Sequence, residues 1–427
     1  MHYVIIGNSA AAIGAIEAIR RHDPENPITV VADEPHHVYS RPLISYLLGG
    51  MVDEGRMDYR PRDFYTRQRV ETMLGVRVTQ VNPTTQSLML ADGRTLSYDR
   101  LLIATGGRPF VPPTPGVELE GVFTFTSLDD ARRIARYIEQ YQARSALIVG
   151  GGLIGLKTAE ALMARAMRVV IVELADRILS MTFDHTASKL AESFLRRAGA
   201  DVRTGLTIKE IVAREGHVGH AILQSDERVE CDLVVFAIGV RPNVGLIPPE
   251  AGIRINRGIV VNRRMQTSVP TIYAAGDCAE GYDMLLGENR PIAIWPNAYR
   301  QGYVAGCNMA GVEREDEGGL PMNAVEVCGV PTISVGLAGL PNGNGYEVME
   351  RYDRETSAYR RLVLLDNRLV GATCIGNVDR AGIYTGLIRD HINIAPFKNH
   401  LLAGNFGLIS LPREYRKQLV VGEGIEM

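Results

Sequence analysis

Three glycines at fixed spacing carry the strongest chemical signal in this chain. Gly150, Gly152 and Gly155 spell G-x-G-x-x-G, with Ile154 inside the turn. In such a turn the first glycine makes the sharp bend. The second leaves room for a pyrophosphate against the backbone, and the third lets a helix pack close. Glu173 stands 21 residues beyond Gly152. A carboxylate there hydrogen-bonds a free ribose 2′-OH and repels a 2′-phosphate, which favours NAD(H) over NADP(H). Arg168 and Arg177 lie near enough in sequence to weaken that preference. A degraded copy of the turn reads Gly7-Asn8-Ser9-Ala10-Ala11-Ala12. Gly7 keeps the bend, while Ser9 and Ala12 keep the other two positions small. Asp33 and Glu34 follow about 25 residues later, where a ribose partner belongs.

Both turns need a strand before them and a helix after them. Tyr3-Val4-Ile5-Ile6 precedes the first, and a helical pattern follows to about Arg20. Ala146-Leu147-Ile148-Val149 precedes the second, with a helical pattern to about Arg165. Each helix leads to a β-branched run, Ile28–Val31 and Val169–Val172. Strand–turn–helix–strand thus occurs twice, which predicts two dinucleotide-binding units. Pro109, Pro112, Pro113 and Pro115 mark a linker between them. A third region begins near residue 312 with a polar stretch, Glu313 to Gly319. Its apolar runs Arg361–Leu365 and Leu369–Ile375 flank Asp366-Asn367, a hairpin signal.

The chain has 427 residues, enough for about three domains. With 46% hydrophobic and 22% charged residues it can bury a core. A formal net charge of −3 gives no reason to expect nucleic acid or an anionic membrane as partner. No apolar run reaches the roughly 20 residues of a membrane span. MHYVIIGNSA lacks a basic leader, so the expected compartment is the cytoplasm. The five cysteines lie at least 21 residues apart, so no metal site or disulfide framework is expected.

Three further segments carry a family resemblance: Tyr98–Pro109 (YDRLLIATGGRP), Ala237–Asn243 (AIGVRPN) and Thr267–Asp277 with its Tyr-Ala-Ala-Gly-Asp end. Together with the two turns they resemble the FAD-dependent pyridine-nucleotide oxidoreductases related to glutathione reductase. The resemblance covers at least residues 1 to about 310. It implies an α/β fold with two Rossmann-like dinucleotide-binding domains, the NAD domain inserted in the FAD domain, plus a C-terminal α+β domain. The implied boundaries are 1–112 and 237–312 for the FAD domain, 113–236 for the NAD(H) domain and 313–427 for the last. FAD would then lie on Gly7, Ser9, Ala10 and Ala12, with Asp33 or Glu34 on its ribose. Gly276 and Asp277 match the segment that holds the ribitol and phosphates. Thr105, Gly106 and Gly239 match strand ends near the cofactors. Trp295, Asn297 and Ala298 match a helix start facing the flavin pyrimidine edge, where a helix N-terminus favours negative charge. Core packing competes as a role for Trp295.

The disulfide reductases of this family carry two cysteines beside the flavin, and other members carry one. Tyr39–Leu48 (YSRPLISYLL) has none, and Pro42 stands at the single-cysteine position by alignment. The stretch with Arg41 and Pro42 resembles instead the reductases that serve ferredoxin, rubredoxin or nitrite-reductase partners. Those relatives pair a lysine and a glutamate near flavin N5, at positions that here read Tyr46 and Lys157. The resemblance therefore makes Tyr46 and Lys157 the candidate catalytic pair, with Lys157 favouring reduced, anionic flavin by Coulomb attraction. The implied partner is an iron–sulfur protein or subunit, as in a 2-oxoacid:acceptor oxidoreductase or nitrite reductase complex. A stand-alone NADH oxidase using O₂ is a second reading. A non-enzymatic FAD-binding scaffold or redox sensor is a third, disfavoured by the full glycine set and Glu173. Basic and aromatic residues at 351–354, 359–361 and 413–417 suggest a docking face for an acidic partner, set against a plain solvated surface. The tail from about Leu401, with Phe406, Leu408, Ile409 and Leu411, suggests packing on a partner chain or in a homo-oligomer.

Overall fold

The computed structural model describes residues 1–339 and 345–413. Contacts divide the chain into two units: residues 1–172 with 206–319, and residues 173–205 with those from Leu320 onward.

In the first unit Tyr3–Ile6 sits at the centre of a five-stranded sheet. The order is Ile272–Ala274, Arg100–Ile103, Tyr3–Ile6, Ile28–Ala32, Val70–Leu74, all parallel. The apolar runs read from sequence are buried on both faces, as parallel strands require. The helix Ala10–His22 follows the first turn. It buries Ala12, Ile13, Ile16 and Ile19 completely, and ends with Arg20, Arg21 and His22, which complement its dipole.

A second parallel array contains Arg168–Glu173, Ser145–Val149, Leu233–Phe236 and Val122–Thr124, in that order. The helix Leu153–Ala164 follows its turn. Gly107–Pro109 and Val240–Pro242 form an antiparallel ribbon. The expected linker thus begins as a strand, which proline tolerates at the end of an edge strand.

The helix Trp295–Met309 packs on Ala10–His22 through glycine. A Cβ on Gly302 would meet the Ala11 carbonyl, one on Gly306 the Ala15 carbonyl, and one on Gly14 the Tyr299 carbonyl. The polar stretch before residue 320 joins this unit too. Buried Asp316 accepts from Arg300 Nε at 2.9 Å.

The second unit holds a five-stranded antiparallel sheet. Its order is Met322–Val327, Val330–Gly336, Arg368–Ile375, Ala358–Leu365, Glu347–Asp353. Asp366 and Asn367 form the expected hairpin turn, both left-handed at φ 48° and 56°. The expected docking face is corrected in part. Arg351 and Tyr352 are exposed, but Tyr359 and Arg361 are each 2% exposed. Their strand lies inside the sheet, and Arg361 donates to the Ala338 carbonyl and pairs with Glu350. Residues 415–417 fall outside the described residues. The tail divides: Leu401, Phe406 and Leu411 are buried, with Phe406 stacked on Tyr384, whereas Leu408 and Ile409 are 49% and 81% exposed. Its residues beyond Arg413 fall outside the described ones.

Candidate dinucleotide and flavin site

The two turns are built on one frame. Gly7 N–H donates to Val31 O at 2.8 Å, and Gly150 N–H donates to Val172 O at 2.8 Å. Ala104 N–H donates to Ile6 O at 2.8 Å, and Ala237 N–H to Val149 O at 2.7 Å. Gly7 and Gly150 take φ of 111° and 114°, and a Cβ on either would run into Ala104 O or Ala237 O. Only glycine fits there. Gly155 would strike the Gly150 carbonyl, so the third position serves helix packing. Gly152 would meet nothing within 4 Å. The space beside it is open to a ligand.

Three helices begin here: Ala10–His22, Leu153–Ala164 and Trp295–Met309. None has a side-chain cap or an acidic residue in its first turn. Leu128–Tyr141 shows the alternative, a full capping box from Ser127 and Asp130. Uncapped N-termini leave N–H donors and partial positive charge for an anion. These residues therefore fit two dinucleotides. Gly7, Ser9, Ala10 and Ala12 would hold the FAD pyrophosphate, and Gly150, Gly152, Ile154 and Gly155 that of NAD(H).

Gly276 and Asp277 come to the first turn from far along the chain. Gly276 adopts φ 80°, and a Cβ there would lie 3.4 Å from that of Ala11 and 3.5 Å from that of Ala298. Its N–H donates to Gln301 Oε1 at 2.9 Å. Burial pushes the Asp277 carboxyl above the usual carboxylate range, and the nearby Arg41 guanidinium pulls it back. Thr105 Oγ1 donates to Asn243 O at 2.6 Å, and Asn243 N–H donates to Gly106 O at 2.9 Å, tying two family segments together. Trp295 packs edge-on against Tyr59, with centroids 5.0 Å apart, so it has the expected core role as well. Asn297 is buried between the Ile292 carbonyl and Arg300.

Of the two acidic ribose candidates, Asp33 is exposed and Glu34 is engaged. Glu34 pairs with Arg41 and accepts from Tyr39 Oη at 2.6 Å. Tyr39 Oη also accepts from Leu128 N–H at 3.0 Å, and Arg41 donates to Thr126 O at 3.0 Å. Pro42, by contrast, is exposed beside this cluster. Sequence reading missed Tyr39 as an organiser; its only signal was a tyrosine within side-chain reach of Glu34 and Arg41. It also missed Asn8, which bridges His36 O at 3.1 Å and the Tyr65 hydroxyl at 2.5 Å. Burial pushes that hydroxyl up to about 12.

Glu173 ends its strand and accepts from Ala175 N–H at 2.7 Å. Arg168 heads the same strand, at the opposite end, and Arg177 pairs with Asp176 at 2.9 Å. Gly239 is exposed at φ 105°. Tyr46 and Lys157 do come together: Lys157 Nζ lies 5.8 Å from the Tyr46 ring centroid. Lys157 also donates to Glu160 Oε2 at 2.6 Å, so its charge is partly balanced one turn along its own helix. The described cysteines are free thiols, and four of the five are buried.

This doubled turn, with Gly276-Asp277 returning to the first of the pair, defines a flavin- and nicotinamide-binding oxidoreductase. The chain belongs to the pyridine nucleotide-disulphide oxidoreductase family, whose model matches residues 1–302. Residues 321–392 match the rubredoxin NAD⁺ reductase C-terminal domain. The chain is 32% identical over 406 residues to the NADH-dependent phenylglyoxylate dehydrogenase subunit epsilon of Aromatoleum evansii, covering 94% of each. It is 33% identical over 320 residues to the NADH oxidase of Methanocaldococcus jannaschii, covering 73% of this chain and 71% of that one. Among solved structures, the covalent putidaredoxin reductase–putidaredoxin complex matches with a TM-score of 0.84 at 28% identity, covering 92% and 94%. The family binds FAD and NADH. Among the described residues no helix is long and apolar enough to cross a membrane, and no cluster of His, Cys, Asp or Glu could hold a metal ion.

Proposed function

We propose that this chain is a FAD-dependent NAD(H) oxidoreductase that exchanges electrons between NAD(H) and an iron–sulfur protein or subunit in the cytoplasm. The observation that carries this reading is a complete pair of dinucleotide turns with no cysteine in Tyr39–Leu48 beside them. A dithiol relay has no residues to run on there. FAD, when bound, supplies hydride acceptance from the nicotinamide and electron release to a one-electron partner. The chain's part is to hold and orient. Residues 1–112 and 237–312 form the FAD domain in this reading, and 113–236 the inserted NAD(H) domain. Glu34, fixed by Tyr39 and Arg41, receives a ribose; Glu173 selects the unphosphorylated nicotinamide dinucleotide. Lys157, over the Tyr46 ring and balanced by Glu160, sets the local charge at the reacting edge.

The Aromatoleum relative supports a place in a larger complex, since phenylglyoxylate is itself a 2-oxoacid. The relative in complex with putidaredoxin supports a docked protein partner. A nitrite reductase assembly is an alternative setting. The relative that is an NADH oxidase supports a second reading, in which O₂ takes the electrons.

Anaerobic titration of the FAD-loaded protein with NADH, followed by O₂, separates the two. Flavin bleached by NADH and restored slowly by O₂ supports the partner-dependent reading. Restoration within one turnover supports the oxidase. A flavin band unchanged by NADH rejects both and favours a binding scaffold.

A further inference from the structure

We propose that the sheet containing Ser145–Val149 carries a second binding site at its other end, for a small phosphate-bearing ligand. A cleft of about 370 Å³ opens beside Ser145 and Arg168, the first residues of two neighbouring parallel strands. The glycine turn follows the far end of the Ser145–Val149 strand, roughly 17 Å away at about 3.3 Å per residue. The two sites are therefore separate.

The register places two arginines side by side at the cleft. Arg168 N–H donates to Arg144 O at 2.9 Å, so the residues leave adjacent strand ends together. Among the described residues neither guanidinium is held by a carboxylate, and both side chains are exposed. Arg214 enters the same cleft from a hairpin, and a Cβ on Gly219 would lie 2.6 Å from its Cβ. A glycine is what leaves Arg214 its place.

Two carboxylates line the cleft, and both are spent. Asp232 accepts from Arg144 N–H at 2.8 Å, Ser145 N–H at 2.9 Å and Ser145 Oγ at 2.8 Å. Glu230 is shared by Arg214 and Arg228. Three guanidinium groups against two carboxylates leave the lining a formal charge of about +1. Buried Cys231 lies at the floor, its thiol pushed up to about 12 by burial, so it adds an uncharged surface.

Planar guanidinium forks match phosphate oxygens in pairs. An anion offsets the excess positive charge of the lining, and the volume is in the range of small-ligand sites. A phosphate monoester or diphosphate fits both. No residue of the flavin or NAD(H) site takes part, so failure here leaves the proposed function untouched.

The test uses FAD-loaded protein saturated with NAD⁺, which fills the dinucleotide sites. Pyrophosphate is titrated at constant ionic strength by calorimetry. The proposal expects saturable binding that weakens at least 10-fold in Arg144→Ala/Arg168→Ala. FAD content and flavin reduction by NADH stay unchanged. Arg168→Gln alone, at an exposed strand end, gives a smaller loss and serves if the double variant fails to fold. Pyrophosphate that does not bind saturably, or binds the variants as it binds the parent, overturns the site.

Discussion

The first and second glycine turns share a hydrogen-bond frame but not a sequence. Position one is glycine in both, because φ is near 110° and a neighbouring carbonyl occupies the Cβ site. Position three is Ala12 in one and Gly155 in the other. Ala12 is buried completely, whereas a methyl on Gly155 would strike Gly150 O, so the second turn leaves its helix no room for one. Position two is Ser9 or Gly152, and no protein atom lies within 4 Å of a Cβ on Gly152. The comparison separates two causes. Backbone geometry dictates positions one and three, and no protein atom dictates the glycine at position two of the second turn.

The largest expected effect tests the shared frame. Gly7→Ala and Gly150→Ala should each destabilise by about 2 kcal/mol or more, from strained φ and carbonyl overlap. Thermal unfolding measures it; a variant that melts like the parent breaks the equivalence of the turns. The next pair pulls the turns apart. Gly152→Val should keep the melting temperature and FAD content while weakening NADH binding by about 100-fold, roughly 2.7 kcal/mol. Ser9→Val should do the reverse, losing flavin while binding NAD⁺ in calorimetry. Loss of both ligands in either variant would show that the turns are coupled.

Glu173→Gln sharpens the assignment of the second turn. Removing the carboxylate should lower the NADH/NADPH preference in kcat/KM by about 10-fold, since repulsion of a 2′-phosphate disappears. Asp277→Asn addresses the first. In the apoprotein the folded carboxyl lies above its ordinary range, so its contribution is lost as pH rises and it ionises. The amide variant should therefore raise apoprotein melting near pH 7 by about 2 °C. That gain should vanish toward pH 3, below the ordinary aspartate value. Flavin content should fall at the same time. The smallest effect is at Lys157. Lys157→Gln should lower the flavin midpoint potential by about 20 mV, near 1 kcal/mol for a two-electron couple. An unchanged potential means that Glu160 already cancels the charge.

Much of this was legible in the sequence for a physical reason. Gly7, Gly150 and the Asp366-Asn367 hairpin occupy left-handed backbone that few residues accept, so residue type reports geometry directly. Arg361 was misread as surface because its partner Glu350 comes from register on the neighbouring strand, which local charge does not encode. Tyr39 was missed because its two bonds join Glu34 to Leu128, 89 residues ahead of it. The arginine cleft was also out of reach, since Arg144, Arg168 and Arg214 meet only through sheet order.

The close helix crossing at Gly14, Gly302 and Gly306 sets a timetable for synthesis. The central strand begins at Tyr3, but its sheet lacks the Ile272–Ala274 edge, and its helix lacks Trp295–Met309, until about 300 residues have been made. At about 5–20 residues per second that wait is on the order of 15–60 s. From the making of Ile103 until that of Ile272, the outer edge of Arg100–Ile103 stands open to any other nascent strand. Stable flavin capture thus waits until the helix Trp295–Met309 has been made, and a ribosome stalled before residue 272 leaves a chain with an open edge and an unfinished cradle.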